Sequence, residues 1–226
     1  MKKHSKRIKE IIKSTDKAKV FNLKEAIVVL KQLPKPKFDE SVDLHLHLNV
    51  DPKQSDQMVR GTVVLPHGTG KKVRIAVFCK GEHEAKAKES GADYVGGQEL
   101  IDKVAAGFLD FDCAIATPEM MKDLSKVGKV LGPRGLMPSP RTGTVTVDIP
   151  RAIKEVKAGK IEFKTDKQGG IHISVGKISF SPEQLYDNAN TAVEAIKQIK
   201  PASIKGEMIK SIFIATTMGA GLRISA

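Results

Sequence analysis

Two imidazoles stand two residues apart in His45-Leu-His47. On a strand, positions i and i+2 point the same way, so both rings share a face, and metal enzymes use that spacing. A metal site needs further ligands, and the other four His are scattered through the chain. The pair therefore reads as part of a wet strand face, and no metal is expected. Gly68-Thr-Gly-Lys71-Lys72 has the residue types of a phosphate loop but not its spacing, and it precedes a strand where such a loop follows one. Gly91-Ala-Asp-Tyr-Val-Gly96-Gly97 lacks the close Gly-x-Gly pair that opens a dinucleotide-binding helix. No Ser–His–Asp arrangement and no coherent carboxylate pair emerges. The expectation is a non-enzyme without a cofactor.

Three irregular stretches suit a polyanion better. Gly132-Pro-Arg-Gly-Leu-Met-Pro-Ser-Pro-Arg141 has prolines that fix its path and two guanidinium groups, Arg134 and Arg141, able to fork onto phosphate. It reads equally well as a rigid structural loop. Thr165-Asp-Lys-Gln-Gly-Gly reads as a hairpin turn whose Lys167 and glycine amides reach a sugar–phosphate backbone. Thr216-Thr-Met-Gly-Ala-Gly221 puts two hydroxyls, a thioether and two glycines in a C-terminal turn, suited to the shallow minor groove of RNA and its 2′-hydroxyls. Phe38 offers a face for a base, although it shares parity with Val42 and so reads as core from periodicity alone.

The elements that position these groups follow from periodicity. Val42, Leu44, Leu46, Leu48 and Val50 alternate with Asp43, His45, His47, Asn49 and Asp51, the period of a strand with one buried face. Met208 to Thr217 is the best partner for it. Helices are expected at Ser5–Ser14 and at Leu23–Leu33 with Asn22 as cap. From Val73 to Val127 the order is strand, helix, strand, helix, strand, helix, that of a doubly wound α/β unit. Val145–Val147 reads as a brief strand and Pro150–Ala158 as a helix. Ile161–Lys164 and Ile171–Val175 read as a hairpin pair, Ser181–Lys197 as a capped helix, and Pro201–Gly206 as a linker. The fold class expected is α/β in two domains. A discontinuous two-layer α+β domain comes from residues 1–67 and 160–226, and a Rossmann-like three-layer domain, residues 68–159, is inserted in it. The two crossings contain Pro66, Gly68 and Gly159, small or rigid residues compatible with a hinge.

Composition narrows the partner. The 226 residues are 40% hydrophobic, enough for a core, and carry a net charge of +12. Up to Lys37 there are twelve Lys or Arg against three Asp or Glu, including Lys2, Lys3, Arg7 and Lys17. Such an excess points to nucleic acid ahead of a merely solvated helix face, with an anionic membrane surface third. No apolar run approaches the ~20 residues of a membrane span. Cys79 and Cys113 lie in apolar runs and read as core thiols of a reducing, cytoplasmic compartment. The competing reading is a small-molecule site at the ends of the doubly wound strands, near Lys80-Gly81 and Thr117, which rests on fold analogy.

Several long segments carry a resemblance. Residues 55–71 (Ser-Asp-Gln-Met-Val-Arg-Gly-Thr-Val-Val-Leu-Pro-His-Gly-Thr-Gly-Lys), 91–97, Leu131-Gly-Pro-Arg-Gly-Leu-Met-Pro138, Lys157-Ala-Gly-Lys-Ile-Glu-Phe163 and Thr216-Thr-Met-Gly219 resemble the bacterial large-subunit ribosomal protein L-one family, in order and across essentially the whole chain. The resemblance implies a protein of the mobile ribosomal stalk that binds 23S ribosomal RNA through its first domain and moves with the transfer RNA leaving the exit site. It also implies repression of its own operon by binding the messenger RNA. The free protein is then a monomer, without membrane attachment, acting on cytoplasmic ribosomes. By position, the implied RNA contacts are Lys37, Phe38, Asp166, Lys167, Ser211, Thr217, Met218 and Gly219, which turns Phe38 outward, with Arg134 and Arg141 auxiliary. Ala220 departs from the family's usual Pro, and Ser139 and Arg141 depart from its usual Asn-Pro-Lys.

Overall fold

The computed structural model describes residues 5–15, 19–52, 54–201 and 206–225. Lys2, Lys3 and Lys17 of the basic segment, and residues 202–205 of the expected linker, lie outside these. In chain order the elements are α1 (Lys6–Ser14), β1 (Val20–Phe21), α2 (Leu23–Gln32), β2 (Ser41–Leu48), β3 (Arg60–Val64) and β4 (Ile75–Phe78). Then come α3 (Glu82–Glu89), β5 (Tyr94–Gly96), α4 (Gln98–Ala105), β6 (Cys113–Ala116), the one-turn helices α5 (Met121–Leu124) and α6 (Gly128–Leu131), and α7 (Ile149–Lys157). Last are β7 (Lys160–Lys164), β8 (Gly170–Lys177), α8 (Pro182–Gln198), β9 (Ile209–Thr216) and β10 (Leu222–Ile224). The chain divides into two compact units, Met1–Gly70 with Ile161–Ala226, and Lys71–Lys160.

In the first unit a five-stranded sheet runs β1-β10-β9-β2-β8. The alternating strand β2 is flanked antiparallel by β9 on one side and β8 on the other. Its apolar residues Val42, Leu44, Leu46 and Leu48 are buried with Ile171, Ile173, Ile212 and Ile214 from the neighbouring strands. Residues of α2 (Ala26, Ile27, Leu30) and α8 (Leu185, Ala189, Ala192, Ile196) complete the same core. Helix α8 begins with a reciprocal capping box: the Ser181 hydroxyl accepts from the Gln184 N–H, and the Gln184 side chain accepts from the Ser181 N–H. Asn22 occupies the N-cap of α2, but its side chain makes no capping hydrogen bond.

Asn188 is fully buried on α8. Its Nδ2 donates to the carbonyls of Gly68 (2.9 Å) and Val175 (2.8 Å), and its Oδ1 accepts from the His67 N–H (3.1 Å). The segment holding Pro66 and Gly68 is thereby fastened to the first unit.

The second unit has a parallel three-stranded sheet, order β5-β4-β6. All four residues of β4 are buried, as its continuous apolar run requires. Ala76 and Phe78 pack with Leu100, Ile101 and Val104 of α4, while Ile75 and Val77 pack with Ala87 of α3 and Ile149 and Ile153 of α7. The sheet is thus covered on both faces.

Four expectations are corrected. The segments 161–164 and 171–175 are not a hairpin, because β7 pairs with β3 in a two-stranded sheet while β8 joins β2. The turn between them passes the chain from one sheet to another. The stretch Met208–Thr217 partners the alternating strand as expected, but it is followed by a further strand that was not expected: the chain reverses at 217–221 into β10, which receives β1 in parallel. Residues 145–147 form only an isolated bridge, Val145 with Ala116. The helix expected from Pro118 alternates instead between 3-10 turns (Pro118–Met120, Ser125–Val127) and single α-turns. Met120, Leu124, Val127 and Leu131 keep a helix-like inward spacing throughout.

Candidate nucleic-acid interface

The face of the five-stranded sheet opposite its core is built by register. Val20 pairs with Arg223, Arg223 with Phe213, Phe213 with His45, and His45 with His172, so these five form one row across the sheet. Below it Ala215 and Ser174 flank Asp43, and above it Ser211 and Gly170 flank His47. Paired residues of adjacent strands point to the same side.

In the first unit, the residues singled out by sequence fall at the two ends of β2 and its partner strands, and Ser211 lies within the paired register of this face. At one end, where β2 begins and β9 finishes, stand Lys37, Phe38, Thr217, Met218 and Gly219. Phe38 is 52% exposed and Met218 50% exposed, so the periodicity argument for a buried Phe38 fails. The Thr217 hydroxyl oxygen accepts from the Ser41 N–H (3.0 Å), and the Thr217 N–H donates to the Ser41 carbonyl (3.1 Å). A Cβ at Gly219 would lie 2.2 Å from the Thr216 Oγ1, so no side chain fits the turn as it stands.

At the other end stand Ser211, Asp166 and Lys167. Asp166 shapes its own turn: Oδ1 accepts from the N–H groups of Gly170 (2.7 Å) and Gln168 (2.8 Å). These two bonds hold its carboxyl below the usual range, with a further small contribution from His172. Gly169 has φ 81°, a backbone state that favours glycine, and its N–H closes the turn onto the Asp166 carbonyl. Six residues of β2, about 20 Å at the rise of a strand, separate the two ends.

Sequence reasoning put His45 on the wet face but missed the groups beside it. His45 Nδ1 and His172 Nδ1 are 2.9 Å apart, so one ring donates and the other accepts, and the bond as drawn needs one of them neutral. Partial burial and the neighbouring His172 push the His45 imidazole below its usual pKa, and Asp43 offsets this in part. The His172 Nε2 also lies 3.5 Å from Asp166 Oδ2. Phe213 shares parity with Ser211 and Thr217, and that signal was available in the sequence.

The remaining candidates lie elsewhere. Arg134 and Arg141 are exposed in the second unit. Pro66 and Gly68 belong to the first unit and Gly159 to the second. At the small-molecule position, Lys80 is paired with Asp123 at 3.5 Å and Thr117 is buried. Among the described residues no group of three His, Cys, Asp or Glu is placed to hold a metal ion. No described helix is long and apolar enough to cross a membrane.

A sequence model of the Ribosomal protein L1p/L10e family matches residues 29–220. The large ribosomal subunit protein uL1 of Solidesulfovibrio magneticus is 53% identical over 99% of this chain and 95% of its own length. That of Fervidobacterium nodosum is 54% identical over 99% of this chain and 96% of its own length. That of Protochlamydia amoebophila is 54% identical over 99% of this chain and 95% of its own length. With a family match across most of its length and relatives of this identity end to end, the chain belongs to the Ribosomal protein L1p/L10e family.

Proposed function

We propose that this chain is a non-catalytic protein of the large ribosomal subunit, working in the cytoplasm, that binds 23S ribosomal RNA at the mobile stalk. The open face of its five-stranded sheet is the contact surface. One observation carries this reading: Ser211 lies in register on the face that carries Phe213, His45, His172 and Arg223, while Phe38, Thr217, Met218 and Gly219 flank the end where β2 begins and β9 finishes, and Asp166 and Lys167 precede β8 at the other end. Phe38 and Phe213 offer rings for unpaired bases, worth about 1–3 kcal/mol per stacked base. Thr217 and Ser211 offer hydroxyls to 2′-hydroxyls. The net charge of +12 supplies the long-range attraction.

On this reading the first unit is the RNA-binding domain and the second an inserted Rossmann-like domain, whose Arg134 and Arg141 add auxiliary contact. Pro66, Gly68 and Gly159 mark the crossings that let the stalk follow a departing exit-site transfer RNA. The free protein is a monomer. The same face binds the operon messenger RNA in translational repression, because one surface recognises one RNA shape in both molecules.

The test is affinity for a stalk-like RNA fragment against a duplex of equal length, over a salt series. Preference for the fragment, lost in Thr217→Ala and Met218→Ala, is expected. Equal binding to both RNAs, with log K falling by roughly 0.7–0.9 per neutralised phosphate for each decade of salt, refutes recognition by this face.

A further inference from the structure

The backbone of Met218 is held by charged side chains on both of its peptide groups. Its N–H donates to Oε1 of Glu40 at 2.7 Å. Its carbonyl accepts from Nη2 of Arg7 at 3.1 Å, and Nη1 of the same guanidinium donates to the Pro34 carbonyl at 3.4 Å. Glu40 is only 3% exposed, unusual for a carboxylate, and its main bond is spent on a backbone amide of the turn. Arg7 lies on α1, far in sequence from the turn it grips, and the reading of the N-terminal segment as plain phosphate-binding charge leaves its geometry unexplained.

We infer that Arg7 and Glu40 are positioning residues for RNA recognition, which fix the two peptide groups flanking Met218 so that Thr217 and Met218 present a preset shape. The inference rests on the proposed RNA reading and extends it to two residues outside the contact set. A planar guanidinium bridges two carbonyls at fixed separation, which the single ammonium of lysine cannot reproduce. A carboxylate aimed at one amide leaves that peptide only small freedom. Both effects reduce the ordering that binding otherwise demands of the turn, and preorganisation of this kind raises affinity without adding a contact. Arg7 and Glu40 thus differ from Lys37 or Lys167, whose exposed charge acts on phosphate directly.

The experiment uses the full chain and the stalk-like RNA fragment over a salt series, with Arg7→Lys, Arg7→Gln, Glu40→Gln and Glu40→Ala. Hydrogen exchange of the Met218 amide is followed in the free protein, and urea unfolding confirms that each variant is folded. Arg7→Lys and Arg7→Gln are expected to weaken binding alike, by about tenfold, the scale of one lost hydrogen bond, with an unchanged salt slope. Glu40→Gln, whose amide oxygen still accepts from the Met218 N–H, keeps its affinity and its amide protection. Glu40→Ala loses both. If Arg7→Lys binds like the parent while Arg7→Gln lowers the slope by about 0.7–0.9, Arg7 is a phosphate contact and the inference falls. Parental affinity in all four variants also overturns it. If the parent protein shows no preference for the fragment, the RNA reading fails on its own account. The grip is then decided by exchange: acceleration at Met218 in Glu40→Ala upholds it, and unchanged exchange overturns it.

Discussion

Asn188→Ala tests the polar clamp inside the first unit. The side chain is fully buried and serves three backbone groups: the Gly68 and Val175 carbonyls and the His67 N–H. Truncation leaves the Val175 carbonyl without its partner in the core, at about 1–3 kcal/mol. The other two bonds lie nearer the surface, where water replaces part of the loss, and contribute about 1 kcal/mol each. The sum is about 3–5 kcal/mol, at the upper end for a single substitution. Asn188→Asp is the sharper variant. It has the same shape and keeps an acceptor for His67, but sets a carboxylate oxygen against two carbonyls. At pH 7 it loses at least as much as Asn188→Ala. Burial raises the new carboxyl above its unfolded pKa, so the deficit shrinks as pH falls and the acid regains a proton to donate. Urea midpoints by circular dichroism at pH 7 and pH 5 read both effects. A loss below 1 kcal/mol for Asn188→Ala, or a pH-independent deficit for Asn188→Asp, refutes the assignment of these three bonds as a buried network.

Two other perturbations follow from the open face. Gly219→Ala places a Cβ 2.2 Å from the Thr216 hydroxyl oxygen, so the turn must shift, and affinity for the stalk fragment is expected to drop at least about tenfold while the urea midpoint moves little. Unchanged affinity in a titration shows that the turn geometry is irrelevant to binding. For His45 the sign is set by a folded pKa below that of a free imidazole: the unfolded chain binds the proton more readily. Its contribution to stability is complete above about pH 6.5 and is lost as pH falls below that, with Asp43, His172 and Asp166 as the charged or titratable neighbours. His45→Gln is expected to flatten the stability profile between pH 7 and pH 5, and an identical slope in both proteins contradicts this.

Much of the first unit was legible because β2 announces itself. Its eight residues alternate without a break, and alternation over that length admits one register relative to the core. Strands β1 and β10 have two and three residues, too few for a period to be visible, and they exist only because they complete the edge beside β9. The hairpin expected around Thr165–Gly170 failed for a different reason. The turn residues are real turn formers, but strand partners are chosen by distant packing: Phe163 is buried with Val59, Val63 and Leu65 in the core on the β3 side of the chain. Phe38 shows where parity stops. Glu40 and Val42 obey it, both buried, whereas Phe38 lies beyond the start of the strand, where the backbone bends and releases the side chain. The RNA set itself came from resemblance, and no local pattern announces that its two groups meet on one face.

The placement of β2 between β8 and β9 has a consequence for synthesis. Both of its partners lie beyond the whole of Lys71–Lys160, so during translation β2 emerges with Val42, Leu44, Leu46 and Leu48 uncovered and no strand to join. The middle segment owns its two cores and has all it needs to collapse first, while the strand before it lacks both partners of its sheet. A growing chain therefore carries no finished five-stranded sheet until β9 and β10 have left the tunnel. On the proposed RNA reading, any control the protein exerts on its own message counts completed molecules only, and fragments from stalled ribosomes are silent in that feedback.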